Sequence, residues 1–352
     1  MQESKYQTNN NDKSLAPPLG AGGRYNWALL GCGSIAKSFA SDLKCLPNAN
    51  LYAVASRDEA KAQQYATDFG FEKAYGSYEE MLSDPKVDIV YISTPHTFHY
   101  EHTMMALKHK KSVLCEKPFA MNSAQVAEMI ACAKENDCFL MEAFWTRFSP
   151  HFTTTIEVLN SGKLGELKMV SANFAFTADF IPEGRFFNPD LGGGSLLDIG
   201  IYTIFFSLVT LGKPIEIQTM SHIGVTGVEE SILMSFKYPD GKMANLMSSI
   251  TTHATSHTEY CCENGYVRIN KGAYSPTTVS VWKNGDAQEQ MVEVPTFEGI
   301  GYLFEAAHVM ECLDAGKKQS DILPWSFSVD LMEILDRVRA SANIVFPVSD
   351  KI

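Results

Sequence analysis

The stretch Trp27-Ala-Leu-Leu-Gly31-Cys-Gly33-Ser-Ile-Ala36 decides the fold. Trp27 to Leu30 reads as a buried strand, and Ser34 to Leu46 reads as a helix. The turn between them spells G-x-G-x-x-A. Gly31 permits the tight turn, Gly33 lets the backbone approach a pyrophosphate, and Ala36 lets the helix pack close to the strand. Cys32, Ser34 and Ile35 complete the loop and the first helical turn, whose free N–H groups can face phosphates. The motif is weak alone. Its strand–turn–helix setting makes dinucleotide binding the stronger reading, with a structural glycine turn as the alternative.

Outward from this stretch, short apolar runs alternate with helical segments. Strands are expected at Leu51–Ala55, Val87–Ser93, Ser112–Cys115 and Cys138–Glu142. Helices are expected at Glu59–Phe69, Phe98–Lys110 and Ser123–Asn136. Such alternation implies βαβ units, a parallel sheet covered on both faces, and right-handed crossovers. After Thr146 the pattern changes. A helix over Pro150–Leu159 precedes strand-like runs at Glu166–Phe176, Glu216–His222, Ser231–Tyr238, Ala244–Thr252, Tyr266–Ile269 and Thr278–Trp282. Tyr238-Pro-Asp-Gly241 and Lys283-Asn-Gly-Asp286 are turn signals. Helices over Tyr302–Ala315 and Ser326–Ala340 close the chain. The expected fold is an α/β Rossmann domain over residues 25–146. A C-terminal α+β domain over 147–352 follows, with a large, mostly antiparallel, open-faced sheet. The last helix is expected to return to the first domain.

The chain has 352 residues, which suits two domains. A net charge of -12 and the absence of a basic run argue against a nucleic-acid partner. The eight cysteines include no C-x-x-C pair. They read as reduced core thiols of a cytoplasmic protein, a disulfide framework being the alternative. Met1 to Arg24 lacks an apolar core, so it reads as a flexible tail or an exchanged arm, not a secretory signal. Leu196 to Leu211 is the longest apolar stretch; it carries Asp198 and is shorter than a membrane span needs.

The second strand ends at Ala55-Ser-Arg-Asp58. An acid at that place usually bonds the ribose hydroxyls of NAD. Ser56 and Arg57 stand there instead and suit a 2′-phosphate, which points to NADP, with NAD the other option. Asp58 reads as the cap of the next helix.

Three further motifs follow in order: Ser93-Thr-Pro-His96 with His99, Leu114-Cys-Glu-Lys-Pro118, and Leu191-Gly-Gly-Gly-Ser-Leu-Leu-Asp198-Ile-Gly-Ile-Tyr202. With the glycine turn they resemble the Gfo/Idh/MocA oxidoreductase family, over about Asn26 to Asn343. Tyr75-Gly-Ser-Tyr-Glu-Glu80 and Met141-Glu-Ala-Phe-Trp-Thr-Arg147 look most like its dimeric dihydrodiol dehydrogenase branch, which also holds NADP-dependent D-xylose dehydrogenases. Many members carry histidine where this chain has Tyr202; the tyrosine fits that branch and argues against inositol-dehydrogenase-like chemistry.

The resemblance implies hydride transfer between a nicotinamide and a carbinol carbon of a sugar or trans-dihydrodiol, in a homodimer formed through the C-terminal sheet. Lys117 would polarise the reacting oxygen, and a cis Lys117–Pro118 bond is expected. Glu116 would orient Lys117 or the nicotinamide ribose, or form a plain ion pair. Tyr202 would exchange the hydroxyl proton. A free phenol ionises near pH 10, so this requires ~3–4 kcal/mol of phenolate stabilisation, much of which the Lys117 charge could supply. Asp198, four residues earlier, is expected on the same helical face to bond a substrate hydroxyl; a paired acid is the alternative.

Thr94, Pro95, His96 and His99 are expected around the nicotinamide half of the cofactor. Trp145 and Arg147 are expected to line the cleft or pack in the core. Arg185 and Asn188 are further candidates to reach the substrate. His96, His99 and His102 recur every third residue, but they start in a proline loop and hydride transfer needs no metal, so none is expected. An NAD-dependent glycosidase and a non-catalytic dinucleotide-binding regulator are alternatives on the same fold.

Overall fold

The computed structural model describes residues 23–347, 349 and 350. The expected tail therefore lies outside the described residues, apart from Gly23 and Arg24. In chain order the elements are β1 (Tyr25–Leu30), α1 (Ser34–Leu43), β2 (Ala49–Ala55), α2 (Glu59–Phe69), β3 (Lys73–Tyr75), α3 (Tyr78–Ser83), β4 (Ile89–Ile92), α4 (His99–Lys108), β5 (Ser112–Glu116), α5 (Ser123–Glu135) and β6 (Leu140–Ala143). They continue with α6 (Pro150–Asn160), β7 (Leu167–Ala175), α7 (Ile201–Leu211), β8 (Glu216–Ile223), β9 (Glu229–Lys237), β10 (Met243–Ser249), β11 (Thr258–Cys262), β12 (Gly265–Ile269), β13 (Val279–Lys283), β14 (Gln290–Val292), α8 (Leu303–Asp314) and α9 (Trp325–Ala342). Two compact units result. Of the described residues, the first holds those up to Trp145 together with Phe297–Val329; the second holds Thr146–Thr296 and those from Asp330 onward.

The first unit is built on a six-stranded parallel sheet in the order β3-β2-β1-β4-β5-β6. The apolar run Trp27–Leu30 that predicts β1 is fully buried. That is the signature of a central strand covered on both faces. β3 and α3 were not anticipated; three residues are too few to show a period. Ser77 caps α3 by accepting from the Glu80 N–H. α1 stops at Leu43, before the expected Leu46. The buried Asp42 near its end accepts from the N–H groups of Ile300, Gly301, Tyr302 and Leu303, at 2.6 to 3.3 Å. A carboxylate at the N-terminus of α8 is favoured by that helix's dipole, and it fixes the returning segment 297–329 within this unit.

The second unit carries an eight-stranded sheet, β14-β13-β12-β11-β7-β10-β9-β8. Every pairing is antiparallel except β7 with β10. β11 and β14 were not anticipated, because both are short and mixed in polarity. One face is apolar: Val170, Ala172, Ile232, Met234, Phe236, Ala244, Leu246, Tyr260 and Val267 are buried. α6 and α7 pack on the sheet. The stretch Pro189–Leu211 is long and apolar enough to cross a membrane, but 89% of its most apolar 18-residue window is buried inside the chain. Burial of each large apolar side chain there stabilises by about 1.5–3 kcal/mol. The other face stays open, with Met220, Leu233 and Met243 more than half exposed. All eight cysteines are free thiols.

Candidate active site

In the first unit the glycine turn, the end of β2, the Thr94 loop and the Glu116–Pro118 turn all follow the carboxyl ends of their strands. β1 lies between β2 and β4, so the strand order reverses there. Open α/β sheets bind ligands at that place. Gly31 has φ +108°, and a Cβ on it would lie 3.2 Å from Thr94 Cγ2. Both facts restrict the position to glycine. The Gly31 N–H donates to Ala55 O (3.0 Å) and the Ser93 N–H to Leu30 O (3.1 Å). No side chain caps the first turn of α1. Cys32 and Ala36 are buried, while Ser34 is exposed and Ile35 half-buried. This is a cradle of backbone donors that a pyrophosphate would fit.

At the end of β2 the Ser56 hydroxyl accepts from the Asp58 N–H (3.2 Å), and Asp58 in turn caps α2 by accepting from Lys61 N–H (3.2 Å). The Arg57 guanidinium lies 5.9 Å from the Phe98 ring centroid. Its charge opposes protonation of His102, whose pKa falls to about 4, chiefly through burial. Burial likewise raises the Cys32 thiol, and the Lys61 charge opposes that rise. Two cations, Arg57 and the unanticipated Lys61, thus flank this edge. The residues fit a dinucleotide.

His99 ties two of the loops together. Its Nδ1 meets Pro118 O at 2.7 Å and its Nε2 meets Thr94 O at 2.8 Å. Burial drives its pKa to about 4, against the two carbonyls, which favour the charged ring. The Thr94 hydroxyl pairs with His102 Nδ1 (2.9 Å). Pro95 precedes the short turn His96–Phe98, and the His96 ring stands edge-on to His99. His99 therefore shapes the loop through backbone carbonyls.

The Lys117–Pro118 bond is cis. Glu116 is buried and accepts from the Tyr91 hydroxyl and from the Lys117 N–H (3.2 Å). It thereby orients the lysine backbone. Lys117 is half-buried, and its charge opposes the burial-driven rise of Glu142 to about 7. Glu142 accepts from Phe119 N–H (3.0 Å) and Ser328 Oγ (2.7 Å), which anchors the turn from below. Trp145 is buried and stacked on Tyr302, centroids 4.4 Å apart.

In the second unit the glycine run leads into α7. Gly194 has φ +118°, and a Cβ on it would sit 2.9 Å from Glu229 O. Glu229, which sequence reasoning missed, is buried and accepts from Ser195 N–H (3.1 Å), Leu196 N–H (2.9 Å) and Ser195 Oγ (2.6 Å). The helix starts as a π turn over Leu196–Gly200, with Gly200 N–H bonded to Ser195 O at 2.9 Å. This corrects the regular α-helical face expected for Asp198 and Tyr202, because a π turn is wider than the 3.6-residue repeat. Such turns are frequent at functional sites.

Asp198 is ion-paired with Arg185, whose guanidinium also lies 4.8 Å from the Phe186 ring. Tyr202 is buried beside Phe174 (5.7 Å) and Tyr274 (5.8 Å), which stack on each other at 3.9 Å. The Thr146 hydroxyl bonds Tyr274 O at 2.6 Å and holds that loop. Arg147 is buried near the Phe152 ring (5.8 Å), and burial lowers its pKa to about 10. Asn188 caps a short turn by accepting from Asp190 N–H (2.9 Å).

The model of an oxidoreductase family with an NAD-binding Rossmann fold matches residues 25–144. The matching Gfo/Idh/MocA C-terminal domain spans residues 152–268. Trans-1,2-dihydrobenzene-1,2-diol dehydrogenase of Mus musculus is 37% identical over 91% of this chain and 98% of its own length. The Homo sapiens protein of the same name is 36% identical with the same coverage. An aldose–aldose oxidoreductase from Caulobacter crescentus superposes with a TM-score of 0.83 at 25% identity, covering 91% of this chain and 98% of that one. A 3-ketoreductase from Actinomadura kijaniata, solved with NADP and TDP-benzene, has a TM-score of 0.81 at 24% identity, with the same coverage. A dinucleotide cradle at the sheet's switch point, a Glu-Lys-cis-Pro turn beside it and these similarities over nearly the full chain agree: the chain belongs to the Gfo/Idh/MocA oxidoreductase family.

Proposed function

We propose that the chain is an NADP-dependent dehydrogenase acting on a carbinol carbon of a polyhydroxylated ring, either a trans-dihydrodiol or an aldose. The Glu116–Lys117–Pro118 turn carries this reading: a buried carboxylate fixes the lysine backbone at the ligand edge of a dinucleotide-binding sheet. The similarity to dihydrodiol dehydrogenases supports the diol, and that to the aldose oxidoreductase supports the sugar. Arg57 and Lys61 support NADP over NAD. The free thiols support a cytoplasmic setting.

When bound, the nicotinamide supplies the hydride acceptor or donor. Lys117 donates a hydrogen bond to the reacting oxygen and stabilises its negative charge. Tyr202 holds and returns the hydroxyl proton at its Oη. Asp198, held by Arg185, orients a neighbouring hydroxyl. Thr94 and Pro118 are held by His99, and Trp145 by Tyr302, which supports preset positions for these residues. The open sheet face supports a homodimer.

The test is reduction of NADP+, with NAD+ in parallel, on a trans-dihydrodiol, D-xylose, D-glucose and myo-inositol. Turnover on the diol or xylose with NADP+ is expected. Lys117→Met and Tyr202→Phe should each lower kcat by about 10²–10⁴-fold while NADP+ still binds. Near-wild-type turnover removes that residue from the mechanism. Tight NADP+ binding without turnover on any of the four substrates favours a regulator.

A further inference from the structure

Among the described residues, one cluster of metal-ligating side chains includes none of the residues assigned to hydride transfer. His308 and Cys312 are four apart on α8, and so share a helical face. Asp321 reaches them from the segment that leads to α9. One ligand atom from each lies within 4.8 Å of the other two. His308 Nε2 is 3.4 Å from Cys312 Sγ and 3.9 Å from Asp321 Oδ1. A tetrahedral zinc with bonds of about 2.0 Å to nitrogen and 2.3 Å to sulfur needs an N···S edge of about 3.5 Å. The N···O edge would close by about 0.6 Å and the S···O edge, which is within 4.8 Å, to about 3.5 Å, a side-chain adjustment of the exposed Asp321.

The His308 Nε2 lone pair, turned to the cluster, accepts the Ser320 hydroxyl, and a bound metal would displace that hydrogen bond. Ser320 Oγ accepts from Ile322 N–H (3.0 Å) and Leu323 N–H (2.8 Å). Its own hydroxyl hydrogen is therefore directed to His308 Nε2, at 2.7 Å. A ring that accepts at Nε2 carries its proton on Nδ1, and Nδ1 faces Glu311 Oε2 at 3.8 Å. At that distance Glu311 is a neighbouring charge and not a hydrogen-bonded partner of the ring. Lys317 holds Asp321 Oδ2 at 3.0 Å, so Oδ1 is the oxygen directed to the imidazole. Cys312 and His308 are buried while the Asp321 side chain is 65% exposed, which gives a closed inner pair and an open outer ligand as an entry path.

We infer that His308 Nε2, Cys312 Sγ and Asp321 Oδ1 bind a borderline-soft divalent cation, zinc by its chemistry, that clips the segment 316–323 to α8. The thiolate and imidazole donors disfavour calcium and magnesium, which take oxygen ligands. Water fills the fourth position, because both lone pairs of Ser320 Oγ are taken by the Ile322 and Leu323 N–H groups. Binding breaks the Cys312 S–H bond, forms a metal–sulfur bond and releases one proton to solvent. The site shares no residue with those assigned to hydride transfer and does not rest on the function proposed above.

The test titrates Co2+ into the chelator-stripped full-length protein and reads thiolate-to-cobalt absorption. One equivalent, with tetrahedral ligand-field bands, is expected, and Zn2+ should displace it. Cys312→Ser should abolish the charge-transfer band and Cys45→Ser should leave it unchanged. Asp321→Asn changes only an exposed side chain, so it decides the matter if Cys312→Ser does not fold; it should weaken Co2+ at least about 10-fold. No charge-transfer band, a band retained in Cys312→Ser, or unchanged affinity in Asp321→Asn overturns the site.

Discussion

Arg57 sets the cofactor question at the scale of single residues. It is exposed, lies beside Phe98, and occupies the strand end where an acid would select NAD. A charged hydrogen bond to a 2′-phosphate contributes about 1.5–3 kcal/mol. Arg57→Ala should therefore raise the KM for NADP+ by roughly 10–100-fold and leave that for NAD+ almost unchanged. Equal losses for both cofactors would place Arg57 elsewhere than at the 2′-phosphate. Most of the candidate side chains could be named from sequence because local motifs fix them: glycines where only glycine fits, and Glu-Lys-Pro after a strand. Lys61, Tyr274 and Glu229 had no such signal. Each becomes relevant through a partner distant in sequence or across a helix turn.

Glu229 governs an element. It gathers the N–H groups at the start of the helix that carries Asp198 and Tyr202. Burial pushes it from an ordinary 4.5 up to about 7, against the bonds from Ser195 and Leu196. A carboxyl with a raised folded pKa keeps its proton longer in the folded chain than in the unfolded one. Its contribution is thus full below pH 4.5 and is lost as pH rises to about 7. The loss is about 3 kcal/mol. Glu229→Gln removes this titration, so its stability should fall less than the wild type's across that window in denaturant melts. Parallel curves would show that Glu229 does not titrate there. The same helix shows why local pattern misled: apolar residues gave its length, but its first turn follows the Gly194–Glu229 contact and opens into a π turn.

At the scale of the whole molecule the open sheet face is the surface on which the proposed homodimer rests. Met220 is 73% exposed and Leu233 52% exposed, and they are direct cross-strand neighbours. A contiguous apolar patch of this kind marks an interaction surface. A Met220→Asp, Leu233→Asp double variant should sediment at half the wild-type mass and keep its far-ultraviolet dichroism. Unchanged sedimentation would mean that this face is not the dimer interface.

The sequence alone determined the Rossmann class, the glycine turn, the catalytic lysine candidate and the antiparallel character of the second half. Each rests on a short period or a local motif, and local sterics enforce those wherever they occur. Only the tertiary structure decided that residues 297–329 belong with the first unit, because the anchor is Asp42, more than 250 residues away. It alone decided that β3 and β11 join their sheets, since strands of three to five residues are specified by neighbours and not by period. And it alone brought Asp321 to His308 and Cys312, a meeting that a helix face half-predicts and a loop completes.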